Sequence, residues 1–369
     1  MFDEIYKDKI ILVTGHTGFQ GGWLSLWLKK LGANVIGYSL DPTTKLSFFE
    51  SIGLKNDVEH VIGDIRDQEK LKHTVDKYKP EIIFHLAAQS LVRRSYKEPI
   101  ETFETNIIGT ANILEIIRQT EYIKTGMIMT SDKCYDNTNN TKPHIESDPM
   151  GGFDPYSASK GATELVTSSY RNSFFKNERL IKGIATARAG NVIGGGDWSE
   201  DRIIPDSIKK LSDNNDILIR SPESKRPWQY VLESISGILW LTAKLYQEPD
   251  KFEQGWNFGP ESYENTLTVK ELVTKIIQEW NSKNTFRIEE NNPKLYESDI
   301  LLLDSSKTKN ELGWKNILKI DEVISETISW YKAHKNGIEN MREFSSKQIE
   351  KYSSKACLLY TSPSPRDRG

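Results

Sequence analysis

The stretch Ile10–Gly22, IILVTGHTGFQGG, decides how the rest of the chain is read. Ile10 to Val13 make a short apolar run of the kind that forms a strand buried on both faces. The chain then breaks into Gly15, Gly18 and Gly21 at three-residue spacing. Leu24, Trp27, Leu28 and Leu31 follow at the spacing of one helix face, which predicts a helix packed on a sheet. A strand, a glycine turn and a helix start present backbone N–H groups and a positive dipole end to an anion. Glycine is needed where a side chain would keep that anion away. The arrangement predicts a dinucleotide site with its pyrophosphate on the turn; an ordinary glycine-rich connection is the alternative.

Working outward, a second strand over 34–38 follows at the distance of a βαβ unit. At its end, where an acid commonly meets the adenosine ribose, stands Ser39, with Asp41 two residues on. No arginine is placed to meet a 2′-phosphate, so NAD is expected over NADP. The next apolar run ends in Gly63-Asp64-Ile65-Arg66-Asp67, where Asp64 and Ile65 are placed to meet the adenine, a solvated turn acid being the plainer reading. A fourth strand over 82–86 runs into Ala87-Ala88-Gln89-Ser90, whose small residues let cofactor or substrate lie near the backbone. A helix over 106–118 and a strand over 126–130 lead to Ser131-Asp132-Lys133-Cys134-Tyr135. This alternation predicts an α/β fold: a doubly wound parallel Rossmann sheet, ligands at its carboxyl edge, and a smaller C-terminal substrate-binding lobe.

Tyr156-Ser157-Ala158-Ser159-Lys160 opens another helix, with Tyr156 and Lys160 four apart on one face. A phenol with a pKa of about 10 is a poor base at neutral pH, and a nearby ammonium favours its ionised form, so the pair suits proton removal from a hydroxyl. After a sixth strand over 184–187 come Gly190-Asn191-Val192-Ile193-Gly194-Gly195-Gly196-Asp197-Trp198, whose three successive glycines suit a loop wrapping a ligand. The pattern then loosens into a helix near 205–211, a strand near Ile217, helices from about Glu233 and Thr268, the segment Leu301–Asp304, and a last helix from Asp321. Residues 1–187 are read as the cofactor domain carrying the catalytic residues. Residues 188–335 are read mainly as the substrate lobe, with segments returning to the first domain, and 336–356 as a charged C-terminal segment. Arg202 and Arg226 are the anion-binding candidates of the lobe.

Among the 369 residues, 37% are hydrophobic, and 49 basic against 52 acidic side chains leave a formal charge of −3. Such a balance excludes nucleic acid as the expected partner, and no apolar run approaches the roughly 18 residues of a membrane span. Asp3, Glu4 and Asp8 crowd the start, unlike a signal peptide. Two cysteines, Cys134 and Cys357, make no disulfide framework, so the cytoplasm is the expected compartment. Residues 357–369, CLLYTSPSPRDRG, depart from the Lys/Glu-rich texture before them and resemble translated sequencing-adapter sequence. A disordered Ser/Pro-rich tail is the alternative.

The strings TGHTGFQGGWLSLWL, HLAAQSLVRRSY, TSDKCYDN, ARAGNVIGGGDW with DRIIPD, and RPWQYVLE are similar to those of the extended short-chain dehydrogenase/reductases. Within that family the chain resembles the CDP-glucose branch of the sugar-nucleotide 4,6-dehydratases, over about residues 5–335. Ser131-Asp132-Lys133 is the sharpest mark: most such dehydratases carry Thr-Asp-Glu there, and epimerases lack the Asp-acid pair. The resemblance implies that Tyr156 takes the proton of the sugar 4-hydroxyl while hydride leaves C4 for NAD. Lys133 then removes the C5 proton, Asp132 protonates the departing 6-hydroxyl, and hydride returns to C6. Lys133 must be neutral to act as that base.

By the same resemblance Ser131 would bond the 4-oxygen, and Lys160 would hold the nicotinamide ribose and tune Tyr156. Thr17, Phe19 and Gln20 would line the pyrophosphate; Gln89, Ser90 and Asn191 the substrate; Arg202 and Arg226 its phosphates. Ser39 in place of an acid departs from the pattern at the ribose. The implied partner is a nucleotide sugar in deoxysugar and lipopolysaccharide precursor synthesis, with no metal. A homodimer is implied through the helices from Thr102 and Tyr156. The alternatives are a dTDP-glucose dehydratase, a 4-epimerase, or a catalytically silent NAD-binding protein; Lys133 and the GGGDW string speak against the first two.

Overall fold

The computed structural model describes residues 2–136, 142–176, 182–260, 266–289, 301–338 and 340–360. The strands are β1 (Ile10–Thr14), β2 (Asn34–Ser39), β3 (Glu59–Ile62), β4 (Ile82–His85), β5 (Thr125–Met129), β6 (Gly183–Ala189), β7 (Val192–Ile193), β8 (Ile217–Ile219), β9 (Lys225–Pro227), β10 (Gln229–Tyr230), β11 (Gly255–Phe258), β12 (Thr266–Thr268) and β13 (Phe286–Ile288). The helices are α1 (Phe19–Lys30), α2 (Phe48–Ser51), α3 (Gln68–Tyr78), α4 (Val92–Lys97), α5 (Pro99–Phe103), α6 (Gly109–Gln119), α7 (Pro155–Tyr170), α8 (Ile203–Ser212), α9 (Val231–Gln247), α10 (Pro249–Phe252), α11 (Val269–Trp280), α12 (Ile320–Lys335) and α13 (Met341–Tyr360).

Seven strands form one sheet in the order β3-β2-β1-β4-β5-β6-β11, and every neighbouring pair is parallel. Such strands need covering on both faces, which is why their sequences are nearly continuous apolar runs. Leu71 and Val75 of α3 and Ile113, Leu114, Ile116 and Ile117 of α6 cover Leu12, Ile36 and Ile83 on one face. Trp27 of α1 and Leu239 of α9 cover Ile11, Val13 and Phe84 on the other. Strand order reverses between β1 and β4, and the crevice at their carboxyl ends is where an open sheet of this kind takes its ligand. The short pairs β7–β10, β9–β12 and β8–β13, with α8 and α11, build a second lobe over that crevice.

Four features depart from the sequence reading. The first helix does not bury one face only: Trp23, Leu24, Leu26, Trp27 and Leu28 are all buried, because α9 and α13 close over its outer side. The helix from Asp321 is not the last, since the charged segment after it forms α13. That helix buries Ile349, Tyr352 and Ala356 and sets the Tyr352 ring edge-on to Trp27, centroids 5.7 Å apart. Among the described residues, Leu301–Asp304 makes a single bridge, Leu303 opposite His144. The helix read over 106–118 opens with a π-helical turn at Glu104–Ile108 before α6. Of the adapter-like tail, residues 357–360 belong to α13, and 361–369 lie outside the described residues.

Candidate active site

The carboxyl ends of β4, β5 and β6 open onto a cleft of about 960 Å³ that reaches from Gln20, Leu86 and Ala88 to Arg226 and Trp228 of the second lobe. Ser131, Asp132, Lys133, Tyr156, Lys160 and Asn191 all line it. The loop after β5 is held by its own polar groups. Ser131 Oγ accepts the Lys133 N–H at 3.2 Å and donates to Asp132 Oδ1 at 2.9 Å, and Asn191 donates its amide to Asp132 Oδ2 at 3.1 Å. A Cβ on Gly190 would fall 1.9 Å from that same carboxylate oxygen, so glycine there is the condition for Asp132 to sit where it does.

Helix α7 starts where the chain dictates. Asp154 accepts the Ser157 N–H at 2.9 Å, and Pro155 stands at the first helical position. This fixes Tyr156 and Lys160 one turn apart and both buried, with the Tyr156 N–H donating to Ser95 Oγ at 3.1 Å. Burial pushes the Tyr156 phenol up to about 12, against the opposing hydrogen bond of Ser131 and the charge of Arg202. Burial pulls Lys160 down to about 8, and its ammonium donates to the Met129 carbonyl at 3.2 Å. Desolvation is the leading cause of both shifts.

At the other end of the crevice Gly15 has φ +77°, and an added Cβ would stand 2.7 Å from the Ala87 nitrogen. Gly21 lies against the Gly15 carbonyl, and α1 begins with no side chain capping its first N–H groups. That backbone cradle fits a pyrophosphate beside Ala87 and Ala88.

The family model for GDP-mannose 4,6-dehydratase matches residues 12–327. The CDP-glucose 4,6-dehydratase of Salmonella typhimurium is 47% identical over 96% of this chain and 99% of its own length. The chain belongs to the nucleotide-sugar 4,6-dehydratase family. A dTDP-glucose 4,6-dehydratase of Xanthomonas campestris is 24% identical over 89% of the chain and 95% of its own length. Among solved structures, the UDP-glucose 4-epimerase of Thermotoga maritima superposes with a TM-score of 0.77 at 23% identity, covering 88% of this chain and 99% of that one. The dTDP-glucose 4,6-dehydratase of Bacillus anthracis gives 0.73 at 22% identity, covering 89% and 98%. As a 4,6-dehydratase the chain is an NAD-dependent hydro-lyase on a Rossmann fold.

The dehydratase fold disperses some residues singled out from the sequence. Gln89 turns away from the cleft: its amide donates to Leu91 O and Thr102 Oγ1 and accepts from the Leu91 N–H, which shapes the loop rather than reaching a ligand. Thr17 shares a 2.6 Å hydrogen bond with Ser39, so the residue standing in place of the ribose acid is bound to the glycine turn. The Asp64 carboxylate is gripped by the Arg66 guanidinium, closest at 2.6 Å, with Ile65 buried behind it. Ser90 and Asp197 both accept from Arg202, at 3.2 and 3.0 Å, which links the loops after β4 and β7 across the cleft. Arg226 is buried on β9 and lines the far end. Phe19 and Gln20 open α1, and Gln20 accepts a hydrogen bond from Ser234 of α9 at 3.1 Å.

The glycines of the GGGDW string do not wrap a ligand as expected. Gly195 lies against Trp330 and Gly196, at φ +83°, against Phe48, while Trp23 donates its indole N–H to Gly195 O at 2.9 Å. Of the three, only Gly194 borders the cleft. Sequence reasoning missed Ser95, Asp154 and Glu164. The Asp-Pro pair ahead of Tyr156 is a readable helix start. Glu164 follows Lys160 at the same four-residue step, a charge on a buried stripe.

Proposed function

We propose that the chain converts CDP-glucose to CDP-4-keto-6-deoxyglucose and water, with residues 1–187 holding NAD. The observation that carries this reading is the gathering of Ser131, Asp132 and Lys133 beside Tyr156 in one cleft. That cleft also continues to Arg202 and Arg226, which suit a diphosphate. Gly15, Gly18, Gly21, Thr17, Phe19, Gln20, Ala87 and Ala88 form the cofactor's cradle. When bound, NAD supplies the hydride acceptor for C4, the hydride returned to C6, and a positive ring near a phenol that burial has raised.

Tyr156 accepts the 4-hydroxyl proton, and Ser131 bonds the same oxygen. The ketone left as hydride departs C4 acidifies C5, from which Lys133 takes the proton and to which it returns one when C6 is reduced. Asp132, oriented by Ser131 and Asn191, protonates the leaving 6-hydroxyl. Lys160 orients the cofactor from one turn beyond Tyr156. We place the enzyme in the cytoplasm, since its cysteines form no disulfide framework; among the described residues no helix is long and apolar enough to cross a membrane. Ile100 on α5, Ile108 on the π-helical turn after it, and Leu165 on α7 are exposed apolar residues that suit a homodimer built on these helices.

Incubating the protein with CDP-glucose, dTDP-glucose and UDP-glucose and following loss of one water by mass tests the reading. CDP-glucose is expected to turn over with trace NAD and no build-up of free NADH. Faster turnover of either other sugar nucleotide contradicts it.

A further inference from the structure

Behind the cleft, and outside its lining, α7 and β6 bury a charge pair. Glu164 and Arg188 are 3% and 5% exposed, and Arg188 Nη2 donates to Glu164 Oε2 at 2.8 Å. Thr186 donates to that same oxygen at 2.7 Å, and Thr130 donates to Oε1 at 2.5 Å. The other arm of Arg188 donates to the Tyr135 hydroxyl at 2.7 Å and to Glu146 O at 3.0 Å. Burial alone raises a carboxyl, but the charge and hydrogen bond of Arg188, joined by Thr130 and Thr186, outweigh it and hold Glu164 below its ordinary range.

Thr130 and Tyr135 are the residues that immediately flank Ser131–Cys134. Both ends of the loop bearing Ser131, Asp132 and Lys133 are thus tied to one ion pair. Tyr135 is fixed further by donating to Asn257 Oδ1 at 2.6 Å on β11. Tyr156 is held by other supports, the Asp154 cap at the start of α7 and Ser95 of α4; Lys160 donates to the Met129 carbonyl, and the Glu164 charge acts on it only as a minor influence against burial. An apolar pair of similar volume would fill the core equally well, whereas the planar guanidinium reaches Glu164 and Tyr135 at once and sets the distance between them.

We propose that Glu164 and Arg188 are positioning residues for the elimination half of the reaction: they hold the Ser131–Lys133 loop in register against the sugar carried by Tyr156. This rests on the dehydratase reading above. Loosening the pair slows the steps carried by the loop and spares the oxidation carried by α7.

The test is rapid mixing of wild type, Glu164→Gln, Arg188→Met and Tyr135→Phe with CDP-glucose in D₂O. Reduction of bound NAD, deuterium entry at C5 and water loss are followed separately, with melting temperatures measured in parallel. For Glu164→Gln and Arg188→Met, C4 oxidation is expected within about threefold of wild type. Water loss and C5 exchange should fall about 10- to 100-fold, as for a reactive group displaced by about 1 Å. Tyr135→Phe, which leaves the ion pair intact, should show the same selective loss at about tenfold or less. If the charge variants do not fold, Tyr135→Phe decides alone. Equal slowing of both halves, or wild-type elimination in a folded variant, overturns the positioning role and leaves the dehydratase reading intact. Failure of wild type to dehydrate CDP-glucose overturns both.

Discussion

Gly15-Gly18-Gly21 and Gly194-Gly195-Gly196 are two glycine clusters of the molecule, and different neighbours enforce them. In the first, backbone meets backbone: a Cβ at Gly15 would strike Ala87 N, and one at Gly21 would stand 2.1 Å from Gly15 O. In the second, backbone meets side chains: Gly194 faces Val231, a Cβ at Gly195 would stand 2.0 Å from Trp330 Cγ, and Gly196 faces Phe48. Backbone atoms cannot yield, so the first cluster builds a fixed cradle for an anion. The second lets a catalytic-side loop settle onto an aromatic floor. A run of glycines therefore announces a close approach without saying what approaches.

The largest contrast is expected from alanine at Gly15 and Gly195. Gly15→Ala forces a side chain into φ +77° against a backbone nitrogen, so NAD affinity measured by fluorescence titration should fall about tenfold or more. Gly195→Ala overpacks the Trp330 contact and should cost about 1–3 kcal/mol in urea unfolding, with NAD affinity of the folded protein within about twofold. Equal loss of cofactor affinity in both variants would erase the distinction.

Acidity should separate the two regions next. Beneath the second loop Glu233 of α9 is fully buried, accepts the Ile317 and Leu318 N–H groups at 2.8 Å and the Tyr352 hydroxyl at 2.6 Å, and is raised by burial from 4.5 to about 7. Its folded form binds the proton more tightly, so its contribution is full below about pH 4.5 and is lost as pH rises through about 7, about 3 kcal/mol in all. Glu233→Gln should flatten that decline in melting temperature between pH 5 and pH 8. In the glycine turn the sign reverses. His16, which shares a 2.7 Å hydrogen bond with His60, is pulled from 6.5 to about 3 by burial and by that neighbour, so its contribution is lost as pH falls below 6.5.

The cofactor half was legible because its signals are local. A buried strand, a glycine turn and a helix period are contiguous at Ile10–Leu31, and the parallel sheet follows from repeating them. Tyr156 and Lys160 were legible for the same reason, four residues apart on one helix. What could not be read depends on distant partners. Gln89 looks like a ligand-facing amide until Thr102 and Leu91 take it, and the GGGDW glycines look ligand-facing until Trp330 and Phe48 arrive from elsewhere in the chain. The charged segment 336–356 carries too weak an apolar stripe to announce α13. Yet Tyr352 finds Glu233 and Trp27, partners more than a hundred residues away.

The smallest effect should come from the far end. Deleting residues 357–369 removes the last turn of α13, where Cys357 is exposed, while buried Tyr352 and Ala356 remain. Activity should be unchanged and the melting temperature should move by less than a few degrees; a larger drop would show that the segment packs.

The division of the reaction between helix and loop is tested most directly by single-turnover mixing of Tyr156→Phe and Lys133→Met with CDP-glucose in D₂O. Tyr156→Phe should lose NADH formation and product together, by about 10² to 10⁴ in rate. Lys133→Met should still reduce bound NAD, fail to exchange the C5 hydrogen, and accumulate the 4-keto sugar. Elimination of water by Lys133→Met at the wild-type rate would contradict the account and send the search for the base elsewhere in the cleft.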